Sequence, residues 1–171
     1  MTLSDLANIA EIVGGVAVVV SLVYLAIQVR QNTYSVRSAS LQANTALWSS
    51  MLSNLANPGL VEAYAAGLTG RKDISPLQYT QFFLLCRGLF VAFEDQHYQF
   101  RHGILDEETY RGYERAISEQ LLAFRGFRIW WAQSKNVFSQ EFVKHVDELI
   151  SRTEPSAPDK FFKQWQDHSR E

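Results

Sequence analysis

The chain has 171 residues with a formal net charge of −2, four Pro and nine Gly. That balance excludes the basic face of a nucleic-acid module and the composition of a disordered chain, and the lone Cys86 allows no internal disulfide. Roughly 140 residues beyond an N-terminal anchor are enough for one domain with a proper core and too few for two, and an aromatic share of 13% lets that domain bury a large apolar area.

The first predicted element is a membrane span. Between residues 9 and 29 the only charge is Glu11, and residues 12–27 are dominated by Val, Leu and Ile. About 20 such residues cross a ~30 Å hydrocarbon core as a helix. A cleaved secretory signal opens on positive charge and closes on a small-x-small site, whereas this segment opens with Asp5 and Glu11 and runs out through Tyr24 to Arg30, so it reads as a retained anchor. Arg30 and Arg37 follow the span and no Lys or Arg precedes it, which orients the N-terminus outward and leaves the rest in the cytoplasm.

The anchor helix continues without a breaker to residue 56 and stops at Asn57-Pro58-Gly59. A short helix over 60–68 and a loop over 69–73 follow. Ser75-Pro76-Leu77-Gln78 supplies an N-cap, a Pro at the first helical position and a reciprocal Gln, and that helix runs to about residue 101, ending at Gly103. Asp106-Glu107-Glu108 opens another, lasting to about residue 124, with Gly126 as its breaker. A short aromatic helix reaches about residue 135, Ser139 caps a last one with Phe142, Val146 and Leu149 at helical spacing, and the tail forms a turn or two around Phe161, Phe162 and Trp165. The expected architecture is all-α: an anchor at 1–30, a cytoplasmic antiparallel helical bundle at 31–152 and a C-terminal tail at 153–171.

The apolar run 82–93 is too short for a second span and is interrupted by Arg87, so it is expected to be a central buried helix. Arg87 then requires a carboxylate, for which Glu114 and Glu119 are candidates. Along the anchor, Ala10, Gly14, Ala17, Ser21, Tyr24, Gln28 and Gln31 place a small or polar residue at every position of a heptad seam. In lipid, close approach at small residues and hydrogen bonds between polar ones drive association, so the seam predicts a homo-oligomer. A minority reading has Glu11, Ser21, Tyr24 and Gln28 line a polar path in a channel-like or sensory assembly.

Catalytic and metal-binding signals are thin. Glu94 and His97 are three residues apart on one helix, the pair used in di-iron bundles, but no second Glu-x-x-His exists. A Glu bonded to His97 or Tyr98 is the simpler expectation, and neither catalytic residues nor a cofactor are assigned. Most of Phe124, Phe127, Trp130, Trp131, Phe138 and Phe142 are expected to close the core of the bundle; adjacent Trp130 and Trp131 point about 100° apart on a helix, so both cannot face the same core and one is a candidate to meet a partner subunit or the headgroup layer. Phe161, Phe162 and Trp165, interleaved with Lys160 and Lys163, are further interface candidates.

Three stretches carry a resemblance. They are Ile9-Ala10-Glu11-Ile12-Val13-Gly14 with Tyr24 to Thr33; Phe93-Glu94 to Tyr98-Gln99 leading to Gly103-Ile104-Leu105-Asp106-Glu107-Glu108; and Gly126-Phe127-Arg128-Ile129-Trp130-Trp131 leading to Phe138-Ser139-Gln140-Glu141-Phe142. To about residue 150 the chain resembles a widespread group of small bacterial proteins with one N-terminal transmembrane helix and a helical cytoplasmic domain. It departs from them at Arg125-Gly126, where they often carry Pro-Gly. The group has no established activity, so the resemblance implies a bacterial cell-membrane location and transfers no catalytic residue. The expected role is a membrane-anchored homo-oligomeric scaffold or interaction protein with the bilayer as a partner, the channel-like assembly second and a helical-bundle enzyme or metal-binding protein third.

Overall fold

The structure is a computed structural model that describes residues 3–169, and the side chains of all of these except 3, 5–7, 9, 10 and 161. It is all-helical: α1 (Leu3–Leu55), α2 (Pro58–Thr69), α3 (Pro76–Arg101), α4 (Glu107–Ile117), α5 (Arg125–Ser134), α6 (Gln140–Arg152) and α7 (Lys160–His168). A π turn over Ser118–Leu122 precedes α5, a 3-10 turn over Lys135–Val137 follows it, and no strand occurs among the described residues. The chain divides into two compact units, Met1–Ala43 and Asn44–Glu171.

Among its described residues the first unit is helix alone. Every side chain from residue 11 to residue 37 is exposed, and α1 is long and apolar enough to cross a membrane.

The second unit owes its helix boundaries to local chemistry. The Asn57 side chain accepts from Gly59 N at 3.0 Å with Pro58 in the first turn of α2, which ends at Gly70 in the left-handed region (φ 59°). Ser75 and Gln78 form the reciprocal capping box, at 3.3 and 3.2 Å, as their spacing predicts. Asp106 starts α4 by accepting from Thr109 N at 2.9 Å, and Ser139 starts α6. The core forms around α3, which buries Phe82, Cys86, Leu89, Phe90 and Phe93 at helical spacing. The run 82–93 is thus a core helix with Cys86 acting as a small hydrophobe. From α1, Trp48 and Met51 pack against this core, and buried Gln96 donates to buried Asn44 at 3.1 Å.

Three expectations are corrected here. The helix after Asp106 is α-helical only to Ile117; Ala123 N then bonds to Ser118 O at 2.9 Å, and the break falls at Phe124, which is extended (φ −95°, ψ 138°). A regular helix turns about 100° per residue, so one covered on a single side does not bury four residues in a row. The extra residue of the π turn followed by an extended residue lets Leu121, Leu122, Ala123 and Phe124 all go inside. Gly126 is therefore not the breaker; it lies in the first turn of α5, where α5 meets the backbone of Gly67 in α2.

Secondly, Trp130 and Trp131 are both only 2% exposed. Helix α5 is covered on two sides: Trp130 meets Phe83 of α3 at 5.9 Å between centroids, while Trp131 Nε1 donates to Asp147 of α6 at 2.8 Å. Neither indole is left to face a partner.

Thirdly, Arg87 has neither Glu114 nor Glu119 as its counter-ion. Its guanidinium lies 4.7 Å from the centroid of the Phe138 ring, and its buried Nη1 has no hydrogen-bond partner among the described residues. A planar, weakly hydrated guanidinium is stabilised on an aromatic face without a carboxylate, and Glu114 is occupied elsewhere.

Candidate functional site

A connected polar group inside the second unit joins three helices. Helix α3 supplies His97, α4 supplies Tyr110 and Glu114, and α6 supplies His145. The capped start of α4 sets Tyr110, Glu114 and Ile117 on one face, because residues four and three apart lie above one another. Tyr110 is almost wholly buried, and its hydroxyl lies 2.7 Å from His97 Nδ1 and 2.8 Å from His145 Nε2. The two imidazoles stack with centroids 4.4 Å apart. Glu114 Oε1 is 3.4 Å from His145 Nε2, while its Oε2 accepts from Arg111 at 3.2 Å. Phe93, Phe100 and Phe142 wall the group in.

Burial sets the protonation states. It lowers His97 to about 4, with the charge of neighbouring His145 and of Arg101 acting in the same direction. Burial also lowers His145, outweighing the opposing pull of Glu114, and pushes the Tyr110 hydroxyl up. Both imidazoles are therefore neutral near pH 7, and one Tyr110 proton is shared along the line. Chemically the arrangement can relay a proton between Glu114 and His97. Glu114 also lines an open cleft of about 740 Å³, bounded by the π turn and by the segment leading to α7.

A pH dependence of stability follows. The folded-state value of His97 is depressed, so its contribution is complete above the unfolded value of ~6.5 and is lost as pH falls toward 4. After discounting for its partial exposure, the loss is about 1–2 kcal/mol, read as a fall in the urea midpoint between pH 7 and pH 4 that is smaller in His97→Gln. An equal fall in both proteins would contradict the assignment.

The sequence-predicted site residues fall as follows. Glu94 bonds to neither His97 nor Tyr98; its Oε1 accepts from Ser139 N at 2.7 Å, capping the start of α6 from 45 residues away. A carboxylate at a helix N-terminus satisfies a free backbone N–H and meets the positive end of the dipole. Glu94→Gln is expected to cost about 1 kcal/mol in denaturant unfolding, and an unchanged midpoint would deny the cap. Among the described residues, no group of three or more His, Cys, Asp or Glu is arranged to hold a metal.

On α1, Glu11, Gly14, Ala17, Ser21, Tyr24, Gln28 and Gln31 are exposed, while the side chain of Ala10 lies outside the described residues. Ser21 Oγ donates to Ala17 O at 2.8 Å and Gln28 Nε2 donates to Tyr24 Oη at 2.7 Å, so these seam side chains bond within their own helix. On α7, Phe162 and Trp165 stack at 6.5 Å and are 59% and 66% exposed; the side chain of Phe161 lies outside the described residues.

Sequence reasoning missed Tyr110 and His145. Their one visible sign is that Tyr110 and Glu114 share the buried face of α4 with Ile117, where a carboxylate needs a partner. No family model, no curated protein and no solved structure matches this chain.

Proposed function

We propose that α1 crosses a lipid bilayer over about residues 9–29 and that the chain works as a homo-oligomeric scaffold or interaction protein at a bacterial cell membrane. The N-terminus lies outside, and a cytoplasmic helical bundle follows the anchor. One observation carries the reading. Core helices of soluble proteins match α1 in length and composition, but they are covered, as α3 is here; the most apolar window of α1 has none of its residues buried within the chain. Val13, Val16, Val20 and Leu25 are each more than half exposed, an apolar surface that water would penalise and lipid would not. Arg30 and Arg37 support the orientation. The residues quoted above support membership of the group of small bacterial membrane proteins that the chain resembles.

Association rests on the small positions of the seam. Ser21, Tyr24 and Gln28 bond within α1, which favours a packing seam over a polar path through the membrane and leaves the channel-like assembly as the weaker reading. A Cβ built on Gly14 meets nothing within 4 Å, so Gly14→Leu leaves the protomer intact while blocking close helix approach.

The test is twofold. After lysis without detergent and an alkaline carbonate wash, the uncut full-length chain is expected to stay in the membrane pellet; recovery in the aqueous fraction would remove the proposal. In detergent, native mass spectrometry is expected to give a multimer that Gly14→Leu dissociates. An unchanged multimer would move the interface off the seam, and a monomeric wild type would remove the oligomer.

A further inference from the structure

We propose that the His97–Tyr110–His145 relay is an acid switch: it accommodates one proton between its two imidazoles and opens the junction of α3, α4 and α6 when a second arrives. The reason is donor and acceptor counting. Tyr110 Oη carries one hydrogen and stands between His97 Nδ1 at 2.7 Å and His145 Nε2 at 2.8 Å. With both rings neutral, the hydroxyl donates to one and accepts from the other. A first proton on His145 leaves the line of bonds intact, because Nε2–H then faces both Oη and Glu114 Oε1, while Oη–H donates to His97. A second proton, on His97, turns a donor onto Oη from each side. The tyrosine hydrogen is then left among the rings of Phe93 and Phe100, and two imidazolium rings are stacked at 4.4 Å.

The surroundings offset that second charge only in part: Glu94 draws His97 upward and Glu148 draws His145 upward, but burial and the neighbouring cations outweigh them. From α3, Glu94 is committed to Ser139 N and Arg101 pairs with Glu141 of α6; from α4, Arg111 holds Glu107 and shares Glu114. From α6, Glu148 pairs with Arg152. Among these carboxylates Glu114 alone lies within ion-pair distance of an imidazole nitrogen, and it serves His145. The depressed value of His97, at about 4 with His145 among its causes, agrees with a difficult second protonation. Helix α6 is the element that yields. Its buried face of Phe142, Val146 and Leu149 leaves α3 and α4.

The switch is independent of whether α1 spans a bilayer. Hydrogen–deuterium exchange of the full-length, detergent-solubilised protein, followed by mass spectrometry from pH 7 to pH 4 and corrected for the intrinsic rate, reads it directly. Protection over residues 140–152 is expected to fall roughly tenfold or more within that range, and His97→Gln, which leaves a single imidazole, to move the midpoint down by about one pH unit. Flat protection in the wild type, or the same midpoint in His97→Gln, would overturn the switch. If His97→Gln does not fold, His145→Gln makes the same comparison, and histidine NMR of the wild type provides a test without a variant. Two separated protonation steps are expected for the stacked pair, and joint titration near the ordinary value of ~6.5 would overturn the proposal.

Discussion

Gly126→Ala is expected to destabilise the second unit by about 3 kcal/mol or more, although it adds one methyl group to a helix. A Cβ on Gly126 would lie 1.7 Å from the carbonyl oxygen of Gly67 and 2.7 Å from its carbon, so the obstacle is backbone and no rotamer relieves it. Helices α2 and α5 must move apart. That movement disturbs Phe127, the next residue, which is fully buried and packs edge-on against Tyr64 and Phe82 at 6.4 and 5.2 Å. At this chain length the cost corresponds to a fall in Tm of about 6–12 °C by circular dichroism. Gly112→Ala is the control. Nothing lies within 4 Å of its added Cβ, and removing a helix-interior glycine should be neutral or stabilise by about 0.5–1 kcal/mol. Equal melting of Gly126→Ala and wild type would mean that α2 and α5 do not meet as described.

Trp131→Ala is expected to cost about 3–5 kcal/mol, the usual range for emptying a buried aromatic site. Trp131 stacks on Phe90 at 5.1 Å, meets Phe138 at 5.4 Å and Phe142 edge-on at 5.9 Å, and its indole N–H bonds to Asp147. It therefore ties α3, α5 and α6 together. Trp131→Phe keeps most of the stacking and loses the hydrogen bond; Asp147 retains Lys135 at 2.8 Å, so the cost falls to about 1–2 kcal/mol. Guanidinium titrations of the two variants should separate packing from hydrogen bonding, and a loss below about 1 kcal/mol in Trp131→Ala would place the indole at a surface.

Helix starts were legible because their determinants lie within three or four residues. Asn57, Ser75, Asp106 and Ser139 each accept from a backbone N–H two or three positions on; Ser75 and Ser139 read as caps from spacing, Asp106 as an acidic helix start and Asn57 only as the stop of the helix before it. The Phe124 break was not legible. Gly126 looked like the punctuation, whereas a π turn and an extended Phe124 make the corner, and the glycine answers to a contact with Gly67 that no local pattern announces. Helix rotation suggested that one of Trp130 and Trp131 faces outward, and that inference failed because it assumed a single covered side. Arg87 was rightly singled out as a charge in an apolar run. Its stabilisation by Phe138 was invisible because a ring 51 residues away in sequence leaves no spacing signal.

By itself, the sequence determined that this protein is helical, where most of its helices begin, and that its first helix is long and apolar enough to span a membrane. These properties follow from interactions within one or two helical turns and from summed side-chain hydrophobicity, both of which are local. Only the tertiary structure decided that Glu94 caps α6, that Gly126 meets Gly67, and that His97 reaches His145 through Tyr110. Those contacts join residues 45, 13 and 35 positions apart where they are hydrogen bonds, and they form only when the helices pack, so no local pattern in the sequence announces them.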